Sequence, residues 1–177
     1  KLMYHTIRTH FAKDHQHYSG QATMTTKLFK SYNLLMYPFP EFYELFQEIV
    51  TFFKEVQDKD DDKKYYIQCW LNYYNHGDFI DWHSHWPPET ESWHGFYCLD
   101  VPKNGCKMVF YDPRPGKVQI NLPEYDHNAI TLASPSIQFD LVPGRIFIAP
   151  SWLPHSFTRN LNQKKPTRFV HFNVGVQ

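Results

Sequence analysis

The fold is decided by the stretch Gly77-Asp-Phe-Ile-Asp-Trp-His83-Ser-His85-Trp-Pro-Pro-Glu89, which is followed some seventy residues later by Pro150-Ser-Trp-Leu-Pro-His155. Side chains alternate between the two faces of a β-strand, so the spacing of His83 and His85 predicts two imidazoles on one face. His155 on a neighbouring strand would complete a three-histidine cluster. Imidazole suits Fe, Zn, Cu or Ni, and three protein ligands with open positions are typical of a reactive metal ion rather than a structural one. The pattern therefore predicts a metalloenzyme built on a β-barrel or jelly roll.

Composition and charge favour a globular, β-rich protein. Aromatic residues make up 18% of the 177 residues, a profile typical of aromatic-lined sheet faces and not of disorder. The formal net charge is zero, so neither nucleic acid nor an anionic membrane is an expected partner. Because the sequence shows neither a transmembrane-length apolar run nor a signal peptide, we expect a soluble, cytoplasmic protein.

One helix and eight strands are predicted. Pro40 opens the helix, since apolar residues recur at helical spacing from 42 to 56. After residue 64 short alternating strands follow one another, separated by turns that contain Gly and Pro. The predicted strands are 65–74, 79–85, 93–101, 106–111, 137–142, 145–150, 155–160 and 168–176. We expect a single domain, 1–177, of the all-β dominated (α+β) class. An N-terminal β/helical support region, 1–63, precedes a jelly-roll core, 64–177, which is a double-stranded β-helix of the cupin type with the helix packed on it.

Further motifs give the chain a family resemblance. They are Gly77-Asp-Phe, His83-Ser-His85, His94-Gly-Phe-Tyr-Cys-Leu99, Met108-Val-Phe-Tyr-Asp-Pro-Arg114, the stretch 143–155 and Arg168-Phe-Val-His-Phe-Asn173. In this order they resemble the 2-oxoglutarate/Fe(II)-dependent oxygenases, and among them a small bacterial and phage subgroup whose first metal motif reads His-x-His. The resemblance implies a non-haem Fe(II) dioxygenase. Such an enzyme would use O₂ to couple the oxidative decarboxylation of 2-oxoglutarate to the hydroxylation of a small-molecule or peptide substrate.

The same resemblance implies a set of metal ligands. His83 and His155 are implied as iron ligands, and His85 stands where most relatives carry Asp. With no carboxylate in the set, two acidic residues compete for a place beside the metal. Asp81 is predicted on the strand face of His83, where its carboxylate can orient an imidazole. Glu89 nearly completes a cupin pattern. It would be the fourth ligand, with the three histidines, of a cupin-type metalloenzyme that does not use 2-oxoglutarate.

Co-substrate binding is implied by position as well. Arg168, thirteen residues after His155, occupies the place of the arginine that grips the distal carboxylate of 2-oxoglutarate, and a planar guanidinium suits a carboxylate. Arg159 is the second candidate for this role. Tyr74 matches a tyrosine that hydrogen-bonds the co-substrate.

Other residues have weaker assignments. Trp82, Trp93 and Arg114 are predicted to contact substrate, but tryptophans are equally expected in a jelly-roll core, and Arg114 is equally expected in a tight turn held by an Asp–Arg contact. His94 and His171 lie in predicted strands, where each alone is expected to be a core histidine or a partner behind the metal ligands. A third functional class, a non-catalytic jelly-roll binding protein, stays open at this stage.

Overall fold

The structure is a computed structural model that describes residues 13–19, 22–28, 33–36, 38–56, 64–85, 93–116, 121–122, 126 and 128–176. A 3₁₀ turn, Leu34–Met36, precedes helix α1, Pro40–Val56. The buried side chains of α1 recur at helical spacing, and they are Phe42, Leu45, Ile49 and Phe53. The predicted helix is confirmed. Among the described helices, none has both the length and the apolar character needed to cross a membrane.

Ten strands lie in the described residues. They are β1 (Lys13–Ser19), β2 (Ala22–Leu28), β3 (Tyr65–Tyr74), β4 (Phe79–His83), β5 (Trp93–Asp100), β6 (Lys107–Tyr111), β7 (Ser136–Asp140), β8 (Ile146–Pro150), β9 (His155–Phe157) and β10 (Thr167–Val176). All eight strands predicted after residue 64 are present, with ends that differ by up to three residues. The difference that affects the site is in β4, which ends at His83 and leaves His85 in the following segment.

The strands form a jelly roll. Hydrogen-bonded neighbours follow the order β7-β6-β9-β4-β2-β3-β10-β5-β8, and every pairing is antiparallel. Strands β3, β10, β5 and β8 make one layer, and β4, β9, β6 and β7 make the other. Strand β2 pairs with both β3 and β4 and so joins the two layers. This is the double-stranded β-helix predicted from the sequence.

Two hydrophobic cores lie on opposite faces of the β3-β10-β5-β8 layer. The outer core packs α1 against this layer, and the inner core fills the space between the two layers. Alternation along β10 supplies both cores, since Val170 and Phe172 belong to the outer core whereas Phe169 belongs to the inner one. His171 and Asn173 share the inner face with Phe169, so β10 carries polar side chains into the barrel.

The backbone of this layer leaves no room for a side chain at Gly95. A Cβ atom at this position would lie 2.3 Å from the carbonyl oxygen of Phe147 on β8 and 2.5 Å from the ring of Phe172 on β10. Only glycine therefore allows β5 to lie between these two strands. The preceding residue, His94, is buried with its side chain inside the barrel.

Candidate metal centre

Three histidines converge where β4 and β9 pair. His83 ends β4, and His155, the first residue of β9, is its direct cross-strand partner. His85 lies just beyond β4, where its backbone N–H donates to the carbonyl oxygen of Ser151 at 2.9 Å. One potential ligand nitrogen from each of the three histidines lies within 4.8 Å of the other two. The structure thus brings the predicted cluster together, although strand alternation is not what places His85.

Each of these imidazoles is oriented by an oxygen atom on its Nδ1 side. His83 donates to the backbone carbonyl oxygen of Asp81 at 2.9 Å, and His155 donates to that of Leu153 at 3.0 Å. His85 donates to the side-chain oxygen of Asn173 at 2.8 Å. Because these oxygens accept, Nδ1 must carry the proton, and a neutral ring then has its lone pair on Nε2. Metal-binding histidines are held in this way, by a hydrogen bond from the ring nitrogen that does not bind the metal.

Burial keeps the three imidazoles neutral. It lowers the pKa of His85 to about 4 against the opposing effect of the Asn173 hydrogen bond, and it lowers the pKa of His155 to about 3, with a further lowering by nearby His83. Burial lowers the pKa of His83 as well. At pH 7 all three rings are in the form that binds metal, so binding displaces no proton from them.

The residues present fit an iron ion. Nε2 of His155 is buried and has no hydrogen-bond partner among the described residues, and a divalent metal ion would satisfy it. Imidazole nitrogen is a ligand that Fe(II) accepts, and three such donors leave positions open for other ligands. The donor set is neutral, so an ion held by it keeps its full charge and favours an anionic co-ligand.

Two further histidines extend this cluster into the barrel. His94 on β5 and His171 on β10 are both buried. The ring of His94 lies 4.4 Å from that of His85 and 4.1 Å from that of His155, between centroids. The ring of His171 lies 4.9 Å from that of His85. Burial lowers the pKa of both residues far below the ordinary value, so the described cluster holds five neutral imidazoles.

The carboxylate of Asp81 does not contact the imidazole of His83 in the structure. Its backbone carbonyl oxygen orients His83, whereas its carboxylate is exposed and accepts from the backbone N–H of Trp82 at 2.8 Å. The pairing of β4 with β9 is irregular between Ile80 and His83, which interrupts simple alternation along the strand. The competing acidic residue, Glu89, lies outside the described residues.

Replacing Asn173 by leucine is expected to weaken metal binding by about 10–100-fold, the usual effect of losing the partner that orients a metal-binding histidine. Leucine keeps the side-chain size but cannot accept the hydrogen bond from Nδ1–H of His85. The dissociation constant for Co(II), measured by calorimetric titration at pH 7.5, checks this expectation.

Asp81→Asn is the matched control, because it removes an acidic group near His83 and leaves the orienting carbonyl in place. We expect its Co(II) affinity to stay close to that of the unchanged protein. A strong loss of Co(II) affinity in Asp81→Asn, together with unchanged affinity in Asn173→Leu, would contradict the assignment of the orienting groups.

The structure does not bring Arg168 and Tyr74 to one site. Tyr74 pairs with Thr167 and points into the barrel, whereas Arg168 pairs with Tyr73 on the opposite face of the sheet. Nη1 of Arg168 donates to the carboxylate of Asp100 at 3.1 Å. Tyr74 lines the cavity beside His83 and His85, whereas Arg168 is not among the residues that line it. The joint contact of Arg168 and Tyr74 with one carboxylate therefore stays a prediction.

Two other predicted arginines make structural contacts. Nη1 of Arg159 donates to the carbonyl oxygen of Gly77 at 2.9 Å, and its guanidinium lies 4.0 Å from the centroid of the Phe79 ring. Nε of Arg114 donates to the carboxylate of Asp112 at 2.8 Å. The second contact is the Asp–Arg turn that the sequence allowed as the alternative to a substrate-binding role.

The predicted tryptophans lie away from the histidines. Trp82 is 57% exposed on the outer side of β4. Trp93 packs in the outer core against Phe53 of α1, with ring centroids 5.6 Å apart. The core interpretation of Trp93 is therefore the one that fits, and neither ring lines the candidate metal centre.

Sequence reasoning missed Asn173 and underrated His94 and His171. The missing signal was the alternation along β10, where the apolar residues Val170 and Phe172 identify the outer face and place His171 and Asn173 inside. His94 could have been found in the same way on β5, because it precedes the apolar inner residue Phe96 by two positions.

A family model described as "Putative 2OG-Fe(II) oxygenase" matches residues 68–173, the span from β3 to β10 and more than half of the chain. A comparison with curated proteins finds no match.

Solved structures with a similar fold include several members of this class. An oxidoreductase of the 2OG-Fe(II) oxygenase family from Burkholderia pseudomallei is 11% identical, with a TM-score of 0.65 over 98% of this chain and 77% of that chain. A prolyl-4-hydroxylase from Pseudomonas putida is 9% identical, with a TM-score of 0.61 over 99% of this chain and 83% of that chain. The α-ketoglutarate-dependent epimerase SnoN of nogalamycin biosynthesis is 13% identical, with a TM-score of 0.66 over 98% and 69%. At these identities the likeness shows the fold alone.

Proposed function

The chain belongs to the 2OG-Fe(II) oxygenase family, whose cofactors are Fe(II) and 2-oxoglutarate, and from this premise we propose that it is a hydroxylase. The proposed ligands of the iron are Nε2 of His83, His85 and His155. When bound, Fe(II) and 2-oxoglutarate supply the oxidative decarboxylation that activates O₂ and transfers one oxygen atom to a substrate C–H bond. The observation that carries the proposal is the set of three neutral imidazoles, each fixed through Nδ1, with Nε2 left for the metal.

A cavity beside these histidines offers a place for the co-substrate. It measures about 170 Å³ and is lined by Trp70, Asn72, Tyr74, Ile80, His83, His85, Phe157 and His171. Its wall on β3 carries an indole, an amide and a phenol, which can donate hydrogen bonds to a carboxylate. Ile80 and Phe157 are apolar and exclude water from the other side. We assign this cavity to 2-oxoglutarate.

Tyr74→Phe is expected to raise the 2-oxoglutarate concentration for half-maximal turnover by about tenfold. A hydrogen bond to a charged group contributes roughly 1.5–3 kcal/mol, and about 1.4 kcal/mol corresponds to a tenfold change. The substitution keeps the ring, which packs between Phe157 and Phe169 at centroid distances of 5.7 and 5.5 Å, so the core is preserved. Succinate release as a function of 2-oxoglutarate concentration is the measurement.

Arg168→Ala is the companion variant. Because this guanidinium pairs with Asp100 and does not line the cavity, we expect little change in the 2-oxoglutarate requirement and a small loss of thermal stability. Asp100→Asn should lower stability to a similar extent. If Arg168→Ala raised the requirement strongly while Tyr74→Phe left it unchanged, the co-substrate would bind elsewhere and the arginine assigned by family resemblance would hold it.

The proposed reaction is tested by incubating the protein with Fe(II), 2-oxoglutarate and O₂ over a panel of metabolites and peptides. We expect succinate to form in proportion to a product that is heavier than its substrate by one oxygen atom. A product of unchanged mass would instead indicate an epimerase, and no 2-oxoglutarate-dependent product across a wide panel would count against the proposal. The same assay separates this enzyme from a cupin-type metalloenzyme, which would not consume 2-oxoglutarate.

A further inference from the structure

A second group of three histidines lies deeper in the barrel than the first. It consists of His85, His94 and His171, and one potential ligand nitrogen from each lies within 4.8 Å of the other two. His94 and His171 are 0% and 6% exposed, so this group is more enclosed than the first. The two groups have one member in common, His85, which lies between them.

Several nitrogens of the deeper group have no partner within the described residues. Both ring nitrogens of His94 and Nε2 of His171 are buried without a hydrogen bond. Buried polar atoms are nearly always satisfied, and each exception calls for an explanation such as an ion. A neutral imidazole offers one lone pair, so both His94 and His171 can act as metal donors without a change of protonation.

We propose that His85, His94 and His171 form a second position for a divalent first-row metal ion, which shares His85 with the position used in turnover. Nδ1 of His85 donates to Asn173, so Nε2 is the one atom through which His85 can bind an ion. The two positions therefore exclude each other, and the protein binds one ion at a time. This inference goes beyond the proposed function, since it concerns where an ion can reside and not the reaction.

The first position is the preferred one. All three of its imidazoles are oriented through Nδ1, whereas neither ring nitrogen of His94 is held by a hydrogen bond in the described structure. Orientation of this kind typically changes metal affinity by about 10–100-fold. The deeper position accordingly becomes the main one when His83 or His155 is lost.

Co(II) is the probe, because its visible absorption reports the ligand field and its binding needs no turnover. Titrations of the unchanged protein, His83→Ala, His94→Leu and the double variant compare the two positions. We expect one ion in the unchanged protein and in each single variant. Affinity should fall by about 10–100-fold in His83→Ala and stay within about threefold in His94→Leu. Each single variant keeps one complete group of three histidines, whereas the double variant keeps neither. The fall in Co(II) affinity of the double variant should therefore exceed the product of the two single falls by at least about tenfold.

Several results would overturn the inference. One is a His83→Ala protein that binds Co(II) no better than the double variant, and another is two ions bound at once to the unchanged protein. His171→Leu in the His83→Ala background repeats the test without touching His94, and melting curves in EDTA show which variants fold. If the Co(II) titrations give the expected pattern but the protein releases no succinate, the proposed hydroxylase activity is refuted and the second metal position stands. If the protein releases succinate but the titrations do not give this pattern, the second metal position alone is refuted.

Discussion

Replacing His85 by alanine is expected to abolish both metal binding and 2-oxoglutarate turnover. His85 is the donor that the two histidine groups share, so its loss leaves neither group with three imidazoles. Affinity for Co(II) should fall by more than about 100-fold, beyond the usual effect of losing an orienting partner. Succinate release under saturating Fe(II) should fall to the level of the protein-free control. Calorimetric titration and the succinate assay measure the two effects.

His76→Ala is the matched control for this substitution. His76 is exposed in the turn between β3 and β4, outside the cluster, so its removal should change neither binding nor turnover. A His85→Ala protein that still bound one ion with nearly unchanged affinity would refute the ligand role of His85, and the shared donor with it.

Gly95→Ala is expected to destabilise the fold by about 3 kcal/mol or more, at the upper end of the effects seen when a packed core is overfilled. The added Cβ would lie 2.3 Å from a backbone oxygen of β8, and that oxygen cannot move freely because β8 is paired with β5. For a chain of this size the melting temperature should fall by roughly 6–12 °C. Thermal and urea unfolding in the absence of metal measure the change.

Gly77→Ala is the control for Gly95→Ala, because it introduces backbone strain at a position where a Cβ has room. Gly77 has a positive φ of 85°, and apart from its two chain neighbours no other residue lies within 4 Å of the point that a Cβ would occupy. Alanine there should therefore cost only about 1–2 kcal/mol. Equal destabilisation by the two substitutions would contradict the packing argument for Gly95.

Much of the fold could be predicted because its patterns are local. The helix follows from apolar spacing between residues 42 and 56, and the eight later strands follow from alternation between Gly and Pro turns. The joining role of β2 could not be predicted in this way. It depends on pairing with both β3 and β4, and such long-range pairing leaves little trace in the strand's own sequence.

The candidate site shows a similar division. The pairing of His83 with His155 follows from two histidine motifs on neighbouring strands. Asp81 was misplaced because a register irregularity interrupts alternation, and such irregularities are not visible in a strand's composition. The assignment of Arg168 was based on its distance from His155 along the chain. That distance does not tell which face of β10 a residue occupies, whereas the apolar residues Val170 and Phe172 mark the face packed in the outer core. Alternation counted outward from Phe172 would have placed Asn173 and His171 inside.

If His83 and His155 bind the metal as proposed, their pairing links metal binding to the order in which the chain folds. These two proposed ligands are 72 residues apart in the sequence and meet only when β4 and β9 have paired. No early segment of a nascent chain contains them both, so an ion is captured late, as the barrel closes. Metal binding then stabilises the closed barrel, by about 2.7 kcal/mol when free metal is present at 100 times its dissociation constant. Iron supply during synthesis would in this way influence how much of the protein survives proteolysis before it has catalysed any reaction.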